Sequence, residues 1–198
     1  GKTYAQIILD AAKYSGASAY FIAARIRMEI GVNPSDSVSG TFVFTAPDGT
    51  VTDFTGYYNY FNIYASDSPV PGQNIANGLT YATGALVDDL ITRDTFLLPW
   101  TDPVRSIMGG AYYIAQNYIR VGQDTLYLQK FSVNPSTGKF CWHQYMSSVH
   151  APRGESASVH TSYSDMGILN NAFEFIIPVF ENMPASPVQP STETRSTN

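Results

Sequence analysis

Glu29 has the side-chain type and the placement needed to move a proton. It lies near the end of SAYFIAARIRMEIG (residues 18–31), an apolar stretch with helical texture. Ile22, Ile26 and Glu29 are spaced by four and three, so they share one helix face. Burial disfavours the ionised carboxylate and raises its pKa, which suits a proton donor working near neutral pH. The plainer alternative is structural, because Arg25 stands four residues earlier and can pair with Glu29. Cation before anion is the weaker order on a helix, and a negative charge near a helix C-terminus opposes the dipole. Gly31 is expected to end the helix in a left-handed conformation. Glu29 is thus a poor helix stabiliser, and on these residues alone the catalytic and structural readings stand level.

Other reactive side chains are few. The single cysteine, Cys141, excludes an intrachain disulfide and leaves too few thiolates for a structural zinc site. His143 follows two positions later, on the same face of any strand. Nothing around Cys141 points to an activated thiol, so a core thiol is expected. His143, His150 and His160 fit no short zinc motif, and neither a metal nor a cofactor is expected.

The elements that must position Glu29 follow from periodicity. A first helix is expected over residues 3–14, with Tyr4, Ile7, Ile8 and Ala11 inward and Gly16 as its breaker. Ser18 can cap the helix that carries Glu29. Residues 41–44 and 50–54 are β-prone around a Pro47-Asp48-Gly49 turn, which reads as a hairpin. Ile75, Leu79, Ala82, Leu86 and Leu90 hold one helical period. Asp102 and Pro103 start another helix, burying Ile107, Ala111, Ile114 and Tyr118. Residues 125–131 are expected to be extended and residues 135–138 to turn. A last helix is expected over about residues 156–180, with Val159, Tyr163, Met166, Phe173, Ile177 and Phe180 inward. Residues 1–184 thus form one catalytic-sized domain, and residues 185–198 read as a disordered tail or linker. The fold expected is α+β, mainly α: a lysozyme-like two-lobed domain whose small β-hairpin lobe packs beside the helix ending in an acid.

Bulk composition narrows the partners. The chain has 198 residues, 44% of them hydrophobic and 14% charged, with a net charge of −5. Such a balance speaks against nucleic acid as the main partner, and no stretch is long and apolar enough to insert into a bilayer. Its 14 Tyr, 11 Phe and 2 Trp are the unusual feature. Tyrosine joins a flat apolar face to a hydroxyl, as sugars join C–H faces to hydroxyl rims, although tyrosines also pack ordinary cores.

Five ordered motifs resemble a known family. They are the helix ending in Glu29, GYYNYFNI (residues 56–63), PWTDPVRSIMGGAYYIAQNYI (residues 99–119), GQDTLYLQKF (residues 122–131) and HQYMSSVHAP (residues 143–152). Together they resemble glycoside hydrolase family 73, the endo-β-N-acetylglucosaminidases of Gram-positive cell-wall autolysins. The resemblance implies a secreted, wall-associated hydrolase that cleaves the β-1,4 bond between N-acetylglucosamine and N-acetylmuramic acid in peptidoglycan. It implies Glu29 as general acid and Tyr145 beside the anomeric centre. Tyr58, Asn59, Asn62 and Gln144 are the expected sugar-binding residues, their neutral donors and acceptors suiting acetamido and hydroxyl groups. Turn-making is the alternative for the asparagines, and Trp100 is either a stacking platform or a buried anchor. A second carboxylate, with Asp53 and Glu155 as candidates and Asp48 more a turn residue, competes with assistance by the substrate's own 2-acetamido group. A lytic transglycosylase, a muramidase and a catalytically silent wall-binding module remain the rival readings. Oligomeric state is not legible.

Overall fold

The computed structural model describes residues 1–31, 33–133, 140–145, 148–175, 177 and 179–186. The expected turn at residues 135–138 lies outside them, as does nearly all of the expected tail.

Helix α1 (Tyr4–Ser15) begins at a capping box: the Thr3 side chain accepts from Gln6 N, and the Gln6 side chain accepts in return from Thr3 N. Ile7 and Ala11 point inward. Helix α2 (Ala19–Ile30) follows after Gly16 and Ser18, although the Ser18 side chain makes no cap bond. α2 buries Ile22, Ile26 and, unexpectedly, Arg25. A 3-10 turn (Asp36–Val38) leads into the antiparallel hairpin of β1 (Val43–Thr45) and β2 (Val51–Asp53), paired Val43 with Asp53 and Thr45 with Val51. Phe44 and Phe54 anchor the hairpin in the core.

Helix α3 (Gln73–Ala82) stops before a left-handed Gly84. The helical period running on to Leu90 is therefore broken: Leu86 and Leu90 are exposed, and Leu90 opens the short α4 (Leu90–Thr95). Apolar spacing carries no information about a glycine that lets the chain turn out of register. Helix α5 (Pro103–Ile114) starts as expected, with the Asp102 carboxylate accepting from Arg105 N at 3.0 Å. It buries Ile107, Ala111 and Ile114, continues as a π-type turn (Ala115–Ile119) that buries Tyr118, and packs along α1.

Residues 125–131 correct the expectation of a strand. They form α6 (Leu126–Phe131), because the Thr125 hydroxyl accepts from Leu128 N at 3.1 Å and caps a helix there. The last helix, α7 (Ala151–Asp165), starts earlier and ends earlier than its pattern suggested. Met166, Phe173, Ile177 and Phe180 lie beyond it and are exposed, while Val159 and Tyr163 are half-buried on it. Among the described residues the architecture is mainly helical with one two-stranded sheet, as expected.

The GYYNYFNI segment crosses the core between these elements. α5 admits it at Gly110, where a Cβ would collide with the Phe61 ring; a Cβ on the neighbouring Gly109 would strike Phe96 O, on the turn before Trp100. Trp100 is fully buried, its Nε1 donating to Phe96 O at 2.8 Å, so it is an anchor and not a stacking platform.

Candidate functional site

Glu29 ends α2 at the wall of a cavity of about 500 Å³, shared with Asn62, Tyr64, Asp67, Tyr145 and Glu155. Its side chain is 21% exposed. Burial pushes its pKa up; against that, the Arg25 guanidinium and a hydrogen bond from Asn62 favour the charged form. The Glu155 carboxylate adds a further upward push, and the Tyr145 hydroxyl a small downward one.

Asn62 holds this acid from across the groove. Its Nδ2 donates to Glu29 O at 2.8 Å and to Glu29 Oε2 at 3.3 Å. It adopts a left-handed backbone (φ 48°) that asparagine tolerates better than most residues. Tyr145 closes the opposite side. Its ring lies 4.5 Å from Arg25 Cζ and its edge meets Tyr118, while its hydroxyl donates to Phe61 O at 3.3 Å.

The other expected sugar ligands do not join them. Asn59 is buried, and its amide is consumed by the protein: Nδ2 donates to Ile63 O and Gly78 O, and Oδ1 accepts from Ile63 N. It shapes the loop that presents Asn62. Tyr58 packs on Gly40 so closely that any Cβ there would strike its ring. Gln144 is exposed and accepts from Lys130 Nζ at 3.1 Å, off the groove. Asp48 and Asp53 are exposed around the hairpin and accept from Thr50 N and Thr55 N, as turn residues do. Cys141 is exposed, which corrects the expectation of a core thiol. Among the described residues no cluster of histidine, cysteine or carboxylate side chains is suited to a metal, and no helix is long and apolar enough to cross a membrane.

Sequence reasoning missed three features of the site. Arg25 is 1% exposed and bonded to Glu155 Oε2 at 2.9 Å, a partner 130 residues away. Tyr64 is half exposed in the groove, stacked on Tyr81 at 4.5 Å between ring centroids and held at a strained φ of 63°. Asp67 lines the same cavity. The GYYNYFNI motif pointed to this loop, but not to the residues just past its end. Glu29 and Glu155 also line a second groove of about 780 Å³ between α2 and α7. The acid therefore has open space on two sides.

No family model matches the chain. Over 175 residues, 87% of its length, the chain is 27% identical to a bifunctional autolysin of Staphylococcus epidermidis. Over 165 residues it is 25% identical to the bifunctional autolysin of Staphylococcus aureus. The chain is similar to the staphylococcal autolysins. It spans 11% of the length of these two relatives. Its fold is that of S. aureus autolysin E. It matches a catalytic mutant of that protein in complex with the disaccharide NAG-NAM with a TM-score of 0.54 and 20% identity, covering 82% of this chain and 60% of that one. It matches autolysin E in complex with the muropeptide NAM-L-Ala-D-iGlu with a TM-score of 0.55 and 23% identity, at the same coverage. The autolysin fold thus accounts for the mainly helical body with one small hairpin.

Proposed function

We propose that this chain is a peptidoglycan hydrolase, an endo-β-N-acetylglucosaminidase whose general acid is Glu29. The observation that carries the reading is the position of one half-dry carboxyl, with its pKa raised by burial, where two grooves meet. An enzyme that cuts inside a glycan strand must hold sugar on both sides of the bond, and a groove open on either side of the acid allows that. The likeness to bifunctional autolysins and to autolysin E, whose structures hold NAG-NAM and a muropeptide, supports the same substrate.

In this mechanism the protonated Glu29 gives its hydrogen to the 4-oxygen of N-acetylmuramic acid as the bond to C1 of N-acetylglucosamine breaks. The resulting carboxylate then takes a proton from the water that completes hydrolysis. Asn62 fixes the carboxyl through its backbone and side-chain oxygens. Tyr145 supplies a hydroxyl beside the reacting centre. Tyr64 presents one ring face to a pyranose while Tyr81 supports the other. Asp67 and Glu155 are the other carboxylates lining the cavity among the described residues. Glu155 is already engaged by Arg25, and a nucleophile supplied by the 2-acetamido oxygen fits that arrangement. Secretion to the wall of a Gram-positive cell belongs to the same reading.

Muropeptide analysis tests it. Purified walls digested by the wild type should yield reducing-end N-acetylglucosamine, and Glu29→Gln should yield it at least about a hundredfold more slowly. Anhydro-muramic ends would establish a lytic transglycosylase instead, and reducing-end muramic acid a muramidase.

A further inference from the structure

The proton donor stands one turn after a buried cation that ought to defeat it. A guanidinium close to a carboxyl favours the ionised form and lowers its pKa by roughly 1–3 units, and an ionised Glu29 donates nothing. The structure places that cation under other management. Arg25 Nη1 lies 2.9 Å from Glu155 Oε2 and 3.8 Å from Glu29 Oε1, so the hydrogen bond goes to Glu155. The second arm of the fork, Nη2, donates to Gln129 Oε1 at 2.7 Å. The guanidinium lies over the rings of Tyr145 and Phe21, with Cζ at 4.5 and 5.5 Å from their centroids. Arg25 Nε has no partner among the described residues, which leaves an orphaned buried donor.

We infer that Glu155, on α7, is a positioning residue: it holds Arg25 away from Glu29 and cancels its charge, so that α2 can carry both a buried arginine and a protonated acid. The inference rests on Glu29 being the general acid. The titratable groups around Glu29 come from every wall of the two grooves: Arg25 and Arg27 on its own helix, Glu155 and Asp165 on α7, Tyr145 ahead of α7, Tyr113 on α5 and Tyr118 after it, and Tyr64 and Asp67 on the loop after Asn62. Arg25 is the cation that bears on Glu29, and Glu155 is its hydrogen-bonded carboxylate. Burial raises the Glu155 pKa while Arg25 lowers it, so its charge depends on this pairing.

The test uses Glu155→Gln in the full chain. The amide oxygen can still accept from Arg25, so geometry is kept and only the charge is removed. Carbon-13 carboxyl titration of Glu29 should then show a midpoint lower than in wild type by roughly 1 unit. The alkaline limb of wall hydrolysis should move down with it. An unmoved midpoint, with the rate reduced equally at every pH, would overturn the proposal, since that is the mark of a purely structural role. Should Glu155→Gln fail to fold, the double variant Arg25→Met/Glu155→Leu carries the test. With cation and counter-charge both gone, the Glu29 midpoint should lie at or above the wild-type value, and a lower midpoint would overturn the inference. Wild-type chain that hydrolyses no wall would remove the functional reading but leave the titration readable.

Discussion

The fold favours the protonated form of Glu29. Its folded-state pKa lies above the ordinary value, chiefly through burial. The stability this group contributes is therefore present at acid pH and is lost as pH rises through the folded midpoint. Glu29→Gln should accordingly melt no lower than wild type at neutral pH, with the difference closing below about pH 4, where the carboxyl is protonated in both states. The same variant should lose about 10²–10⁴-fold in wall hydrolysis, the usual worth of a positioned acid. A variant that melts earlier at neutral pH would mean that the carboxylate stabilises the fold. Tyr145→Phe separates hydroxyl from ring. The ring over Arg25 remains, so the fold should be kept, with stability lowered by no more than about 1 kcal/mol for the lost bond to Phe61 O. Loss of one hydrogen bond of about 1 kcal/mol should slow turnover roughly fivefold. A Tyr145→Phe enzyme with wild-type kcat would assign the residue to packing alone.

At the scale of elements, the site depends on how closely α5 lets the GYYNYFNI segment approach. Gly110 faces the Phe61 ring, and Phe61 immediately precedes Asn62. Gly110→Ala should overpack this contact and cost about 1–3 kcal/mol, read as a lower midpoint in urea. The displaced loop should also raise KM, because Asn62 and Tyr64 move with Phe61. Wild-type stability in this variant would mean the ring can retreat. Residues 125–131 and the last helix depart from their apolar patterns for local reasons. LYLQKF is apolar enough for a strand, and a threonine cap decided for a helix. The apolar residues after Asp165 keep a periodic look without a helix to use it, since the chain turns at Gly167 with φ 69°.

For the whole molecule, the net charge of −5 sets the expectation for wall association. Wall polymers are often anionic, so this chain alone should cosediment weakly with purified walls, and added salt should strengthen that binding or leave it unchanged. Tight retention that salt abolishes would point to a cationic surface that the composition does not suggest.

The acid on an apolar helix face, the hairpin after it and the cap at Asp102 were legible because each is a local matter of spacing and side-chain chemistry. The roles of the two asparagines were not. Asn59 and Asn62 stand three residues apart in one motif, yet the first is spent on Ile63 and Gly78 and the second grips Glu29. Nor could any pattern show that Arg25, four residues from the acid, is taken by a glutamate 130 residues further on. Periodicity tells a residue which face it occupies. Only the packing of α7 and α6 against α2 decides what waits on that face, and with it whether the carboxyl keeps its proton.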